Sequence, residues 1–349
     1  MKDGLVVAVP AKIQGEARAA RKWLLRLGLS ILVAALLYYS LRNADPSGIW
    51  NALRSLQPWQ LLAIIGLDVG IFALIGTRWW LLVHAANRDV GLWRLISVRL
   101  SAFGVSYFTL GPQIGGEPLQ VIFLRRQYGL SLSRAVATVA LDKLIELLGN
   151  YLFLILGLGA LIQTGLLRAA SHTLTIALIA VVILAAWPAL HIALLRRNVL
   201  PVSAALRLLP RLRDAENPFR RQVRLSERLA ARFCQRNPRL LVVVLGASLL
   251  ASLLAVIEYA LVTSFLHILL TPWQAIAAWT AAWLSFLMPV PGGLGALEAS
   301  QVLALGALGA TAEGAMGVAL VIRGRDILMG GLGLLLGLRR WQPHKSKAA

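Results

Sequence analysis

Gly111-Pro112-Gln113-Ile114-Gly115-Gly116-Glu117-Pro118 and Pro289-Val290-Pro291-Gly292-Gly293-Leu294-Gly295-Ala296-Leu297-Glu298 lie about 180 residues apart, each where an apolar run should be crossing a bilayer. Helix breakers at that depth free backbone polar groups that lipid cannot satisfy, so such breaks persist only where protein or water lines them. Two breaks at corresponding places in two halves point to a transport site near the midplane. Gly111, Pro112, Gly115 and Gly116 in the first stretch, and Pro289, Pro291, Gly292, Gly293 and Gly295 in the second, are the candidate hinge positions. The competing reading makes the paired glycines turns between ordinary helices.

Working outward, the chain is 58% hydrophobic and only 14% charged, with a mean hydropathy of +0.72. Several apolar runs reach the roughly 20 residues that a spanning helix needs: Trp23 to Leu41, Leu61 to Ala85, Ala135 to Ile162, Leu174 to Leu195 and Leu240 to Leu270. These make it an all-α polytopic membrane protein. The first run follows basic residues like a signal peptide, but it is longer than a signal core and lacks a small-x-small cleavage site, so we read it as a retained helix. The lone Cys234 rules out a disulfide framework and a cysteine-based metal site. A net charge of +20 invites a nucleic-acid reading. The basic residues instead fall at the ends of apolar runs and in one loop, as a membrane orientation signal would place them, and no nucleic-acid partner is expected.

The positive-inside rule gives a path with both termini cytoplasmic. Residues 1–22 form a basic cytoplasmic segment, and 23–195 a first membrane repeat with its break at 111–118. Residues 196–239 form a basic cytoplasmic loop, 240–338 a second repeat with its break at 289–298, and 339–349 a cytoplasmic tail. Arg78, Arg88 and Arg94 mark the inner end of the second helix; only Arg42, Arg54 and Arg168 fall outside. The expectation is six full crossings plus two re-entrant broken hairpins, one entering from each side, in an inverted repeat. The alternative is eight ordinary helices.

Ionisable groups inside spans are costly unless paired or hydrated, and this chain keeps many. Asp68 and Glu258 sit mid-helix as candidate supporting groups, Glu117 and Glu298 close the breaks, and Asp142-Lys143-x-x-Glu146 and Arg323-x-Arg325-Asp326 follow. Asp142 comes 25 residues after Glu117, and Arg323 comes 25 after Glu298. At helical spacing Asp142 and Glu146 share a face, while Lys143 can pair with Glu146 and Arg323 with Asp326. One reading makes these internal ion pairs. The other makes Glu117, Asp142, Lys143, Glu146, Glu298, Arg323, Arg325 and Asp326 a substrate-binding set, with the three cations facing an anionic group and free half-helix N-termini adding to the attraction.

A dozen arginines lie between Arg196 and Arg239. Arg220, Arg224, Arg228, Arg232 and Arg236 recur every fourth residue, opposite Phe219, Val223, Leu229 and Phe233. That pattern predicts a basic amphipathic helix on anionic inner-leaflet headgroups. Catalytic motifs such as His-Glu-x-x-His, a Walker loop or a nucleophile elbow are absent, the histidines are scattered, and no metal or cofactor is expected. Gly333-x-x-x-Gly337 reads as a helix-packing motif.

Gly115-Gly116-Glu117, Leu124-Arg125-Arg126-x-x-Gly129, Asp142-Lys143-x-x-Glu146, Pro289-x-Pro291-Gly292-Gly293-Leu294-Gly295-x-x-Glu298 and Arg323 together resemble the lysylphosphatidylglycerol synthase transmembrane (flippase-like) family. The resemblance spans roughly Trp23 to Leu338, and the second break carries its most specific part. It implies a bacterial inner-membrane protein that moves a phospholipid, glycolipid or polyprenyl-linked lipid between leaflets. Membrane lipids would be its ligands and lipid-biosynthesis enzymes candidate partners. Bifunctional members carry a soluble aminoacyl-transfer domain after the membrane part. The sequence ends at Ala349, so lysyl transfer is not expected of it. Two alternatives stand beside a lipid translocase: a membrane-embedded lipid-modifying enzyme using Glu117, Asp142 and Glu146 as acid–base groups, and a non-transporting scaffold of a lipid-synthesis complex.

Overall fold

The computed structural model describes residues 38, 45–109, 115–166, 171–209, 217–288 and 290–340. The expected first crossing (apart from Tyr38), Gly111, Pro112, Pro289, Arg42, Arg168 and the tail beyond residue 340 lie outside them.

Every regular element among the described residues is helical. In chain order these are α1 (Pro46–Arg54), α2 (Pro58–His84), α3 (Leu92–Phe108), α4 (Glu117–Tyr128), α5 (Leu132–Gln163) and α6 (Ser171–Arg196). They continue with α7 (Pro201–Leu206), α8 (Pro218–Arg236), α9 (Pro238–Phe265), α10 (Pro272–Ser285), α11 (Ala296–Ala307) and α12 (Ala312–Arg340). Prolines punctuate the starts: Pro46, Pro58, Pro201, Pro218, Pro238 and Pro272 each open a helix. Proline's fixed φ suits the first turn, and the N–H it lacks would have no intrahelical acceptor there. Side-chain caps reinforce several starts. Asp45 accepts from the Ser47 and Gly48 amides, and Thr271 and Gln274 form a reciprocal capping box.

The chain is an all-α polytopic membrane protein. Four helical segments among the described residues are long and apolar enough to span: Pro58–His84, Leu132–Gln163, Ile179–Arg196 and Pro238–Phe265. α12 is also long, at 29 residues, but it carries Arg323, Arg325 and Asp326 at its centre. The helices flanking the two breaks are different. α3 and α4 have 17 and 12 residues, and α10 and α11 have 14 and 12. At 1.5 Å per residue, a 12-residue helix reaches only about 18 Å, against about 30 Å of hydrocarbon.

A four-helix unit occurs twice. Pro238 follows Pro58 by 180 residues, Pro272 follows Leu92 by 180, Ala296 follows Glu117 by 179 and Ala312 follows Leu132 by 180. The equivalent first helices, α2 and α9, pack antiparallel. Arg78 reaches Ser248 near one end of the contact, while Ile64 and Val262 share a core cluster near the other. The long helix of each unit packs on the first broken limb of the other: α12 on α3 and α5 on α10.

The α3–α12 contact is close enough to need glycine. A Cβ on Gly333 would run into the Leu100 carbonyl, and one on Gly104 into the Gly330 carbonyl. Gly337 lies against Ser101, so the Gly333-x-x-x-Gly337 motif is a packing surface, as its sequence suggests. Gly331, two residues from Gly333, has nothing within 4 Å of its would-be Cβ. Gly333→Ala should therefore destabilise the fold by about 1–3 kcal/mol or more, because backbone cannot yield as a side chain can. Gly331→Ala should be neutral or slightly stabilising. Thermal unfolding in detergent checks both.

The basic loop folds into α7 and α8. α8 docks on its neighbours, with Leu229 and Phe233 of the Phe219–Val223–Leu229–Phe233 stripe partly buried against the core. It buries Glu227, Ala230, Ala231 and Cys234 against α5 and α6, while Phe219 is exposed and Arg220 is buried. Small residues on this face let the helix approach its neighbours closely. Glu227 accepts from the Val202 and Ser203 amides (2.7 and 2.9 Å), which caps α7. Burial pushes the Cys234 thiol up to about 11, so it stays protonated at neutral pH. Maleimide should label the folded protein slowly between pH 7 and 9 and label it quickly once unfolded, as timed labelling with mass detection would show.

Candidate functional site

Three charge clusters meet between the two units. The first is built on α5, where Asp142, Lys143 and Glu146 fall on one side of a helix. Arg78 of α2 donates to both oxygens of Asp142 (Nε to Oδ1 2.8 Å, Nη2 to Oδ2 3.1 Å), to Glu146 Oε2 (2.9 Å) and to Ser248 Oγ of α9 (2.6 Å). Arg99 of α3 donates to Asp142 Oδ2 (3.1 Å) and also to Glu146. Lys143 Nζ reaches Glu146 Oε1 (2.7 Å) and Glu117 Oε1 (3.3 Å). Glu117 in turn accepts from the Gly115 amide at the edge of the first break (3.0 Å). Three cations face three carboxylates, and the cluster is electrically neutral.

The second cluster holds the other break. Arg323 of α12 donates Nε to Glu298 Oε1 (2.6 Å), Nη1 to the Gly292 carbonyl (3.0 Å) and Nη2 to the Gly293 carbonyl (3.4 Å). Those carbonyls are freed because Gly292, Gly293 and Gly295 adopt positive φ of 58°, 63° and 76°, a region that L side chains avoid. One guanidinium thus supplies the partners that lipid cannot. This pair also is neutral.

The third cluster surrounds Arg325 of α12. Its Nη1 lies 2.6 Å from Glu258 Oε1 of α9, its Nη2 2.7 Å from Asp326 Oδ1, and its Nε 3.8 Å from Asp68 Oδ1 of α2. One cation here meets three carboxylates.

The first and third clusters line one cavity of about 240 Å³, bounded by α2, α3, α4, α5, α9, α10 and α12. Its charged lining is Asp68, Arg78, Arg99, Glu117, Lys143, Glu146, Glu258, Arg325 and Asp326; Trp279, Trp283 and Phe286 form an aromatic wall. Asp142 stands behind Arg78 and Arg99, and Arg323 and Glu298 are not among the lining residues. The sequence-predicted set is therefore divided: Glu117, Lys143, Glu146, Arg325 and Asp326 face the cavity, with Asp68 and Glu258 beside them. Arg323 and Glu298 hold the second break. Arg323 pairs with Glu298 rather than Asp326, and Arg325 takes Asp326.

Residues 23–333 match the family described as "Lysylphosphatidylglycerol synthase TM region". The chain belongs to that family. A UPF0104 membrane protein of Methanothermobacter thermautotrophicus is 30% identical over 139 residues, which is 40% of this chain and 40% of that protein. No solved structure matches this family member.

Arg78 and Arg99 are the cavity residues that the sequence pattern assigns elsewhere or passes over. Arg78, expected at the cytoplasmic end of its helix, is 2% exposed inside the first cluster. Its position six residues before His84, the end of α2, was the available signal: an arginine set back inside an apolar run needs a carboxylate partner. Removing Arg78 leaves Asp142 and Glu146 with an uncompensated buried charge, which costs about 3–5 kcal/mol. Arg78→Ala should therefore lower the unfolding midpoint strongly. Combining it with Asp142→Asn should recover part of the loss, and thermal unfolding of the two variants checks this.

Proposed function

We propose that this membrane protein is a lipid translocase that admits a headgroup to the cavity between its two units. The observation that carries the reading is the cavity itself: nine charged side chains drawn from both units, buried or partly buried in a polytopic membrane protein, beside an aromatic wall. Its two ends differ in charge, with a neutral cluster around Arg78, Arg99 and Lys143 and a carboxylate-rich one around Arg325. That arrangement suits a zwitterionic or phosphate-bearing headgroup, whose anionic part competes for Arg99 and Lys143. The cavity is headgroup-sized, so the acyl chains would stay in lipid. Membership of a family described by a phospholipid synthase's membrane region supports a lipid as the cargo.

The same proposal places α3–α4 and α10–α11 as re-entrant hairpins, since each limb is shorter than the hydrocarbon is thick. It places both termini in the cytoplasm of a bacterial inner membrane. It sets the exposed arginines of α8, Arg221, Arg224, Arg228, Arg232 and Arg236, against anionic headgroups, with exposed Phe219 and Leu225 alongside. Acid–base chemistry by Glu117, Asp142 and Glu146 is disfavoured, because each of those carboxylates is held by a cation.

Purified protein in liposomes should accelerate leaflet exchange of a headgroup-labelled phospholipid, read by dithionite quenching. Lys143→Gln, which removes a charge-assisted bond of about 1.5–3 kcal/mol, should slow exchange about 10- to 100-fold. Equal exchange in wild type, variant and protein-free liposomes, across zwitterionic and anionic lipids, refutes the reading.

A further inference from the structure

The charges of this cavity do not balance, and the imbalance sits in one place. Around Arg78, three cations meet three carboxylates; at the second break, one meets one. Around Arg325, one cation meets Asp68, Glu258 and Asp326. Asp68 and Glu258 are 4% and 1% exposed. With every carboxylate ionised, the Arg325 cluster carries two uncompensated negative charges inside a membrane protein, where even one is costly.

Among the described residues, the surrounding elements offer no further cation. On α2, the nearest charged neighbour of Asp68 is Arg78, ten residues along and committed to Asp142 and Glu146. On α3, Arg99 is committed to the same two carboxylates, and Tyr107 is neutral. On α5, Lys143 holds Glu146, and through it Glu117 of α4. On α12, Arg323 is occupied by Glu298 of α11. α10 contributes only the uncharged Trp279, Trp283 and Phe286 to the cavity.

A second observation marks where the missing positive charge belongs. Asp68 Oδ2 is buried and has no hydrogen-bond partner among the described residues, although Asp68 lines the cavity. Asp68 Oδ1 is 3.8 Å from Arg325, a weak contact beside the 2.6 Å between Glu258 and the same guanidinium. Asp68 is thus the carboxylate least compensated by Arg325. No three His, Cys, Asp or Glu side chains among the described residues converge as a metal ion's ligands would. The proton is the cation that needs no such shell.

We propose that the Arg325 cluster is a proton-binding site, with Asp68 and Glu258 as the titrating pair, and that proton exchange there is coupled to translocation. The coupling rests on the translocase reading; proton occupancy does not. The pair joins α2 to α9, the antiparallel helices at the centre of the two units, through Arg325 of α12. Gaining or losing a proton changes the electrostatic attraction across that contact, which is how a proton can favour one arrangement of the two units over another. The acid–base step is the transfer of one proton between cavity water and a carboxylate oxygen, with no other bond made or broken.

Infrared spectroscopy of the purified protein tests occupancy without any transport assay. At neutral pH, wild type should show a protonated-carboxyl band that shifts in D2O, and Asp68→Asn or Glu258→Gln should diminish it. Both substitutions are isosteric, and either one that retains the wild-type gel-filtration profile suffices. Absence of the band in wild type, or its full persistence in both variants, overturns the site. In liposomes, an imposed pH gradient should change the initial lipid-exchange rate of wild type several-fold and leave that of Asp68→Asn unchanged. A wild-type rate that ignores pH, or that follows sodium instead, overturns the coupling while leaving the translocase reading intact. If no lipid moves in wild type, the translocase reading and the coupling both fall, and the infrared result still decides the site.

Discussion

A guanidinium buried in a membrane protein holds its place only while its partners do, and Arg78 has partners on two helices. It fastens α2 to α5 through Asp142 and Glu146 and to α9 through Ser248. Those same carboxylates receive Arg99 from α3, and Glu146 also holds Lys143, whose other contact reaches the edge of the first break. The first broken hairpin, the long helix that follows it and the inter-unit contact are therefore tied by one network. Buried charge pairs are weak sources of net stability, yet losing one partner is costly because it strands the other. Here the stranded groups would lie on α5, at the contact with α2 and α3.

The two breaks solve the same backbone problem with different chemistry. In the second, Arg323 donates directly to the freed carbonyls of Gly292 and Gly293 and clamps Glu298. In the first, Glu117 accepts a break amide from Gly115 and is clamped by Lys143. Each glutamate lies in the first turn of its post-break limb, and each clamp comes from the long helix of the same unit. A carboxylate in the first turn also sits favourably with the helix dipole. The cavity is lined by residues of α4, α5, α9 and α12 among others, so several of its lining residues are sequence neighbours of those that hold the breaks.

Much of this was legible in the sequence. The breaks, the limbs beside them, the spanning runs and the acidic and basic clusters all follow from helix chemistry and hydropathy, which are local properties. The equal 25-residue spacings put a charged cluster after each break; in the second the residue at that spacing, Arg323, is the partner of Glu298, whereas in the first Glu117 takes Lys143, one residue beyond Asp142, since two carboxylates do not pair. Arg78 and Arg99 are distant from Asp142 in sequence, and nothing local announces their target. The face by which α8 docks is not local information either: Ala230, Ala231 and Cys234 pack on α5 and α6 with Leu229 and Phe233 beside them, while Phe219 of the same apolar stripe is exposed. The excess of carboxylate at Arg325 likewise emerges only when α2, α9 and α12 are brought together.

The constant interval between the two units has a meaning of its own. Any insertion or deletion inside one unit would appear as a step in the separation of equivalent helix starts, yet across four helices that separation varies by a single residue. Surface loops in most folds drift in length freely, because lengthening a flexible loop costs little entropy. Here the intervals between successive helix starts, 34, 25 and 15 residues in one unit and 34, 24 and 16 in the other, agree to one residue, while the segment between the units holds α6, α7 and α8. If the two units arose by duplication, additions have accumulated between the copies and not within them. The unit would then behave as a single heritable part, each helix and the connection after it trading length so that the interval between helix starts is kept.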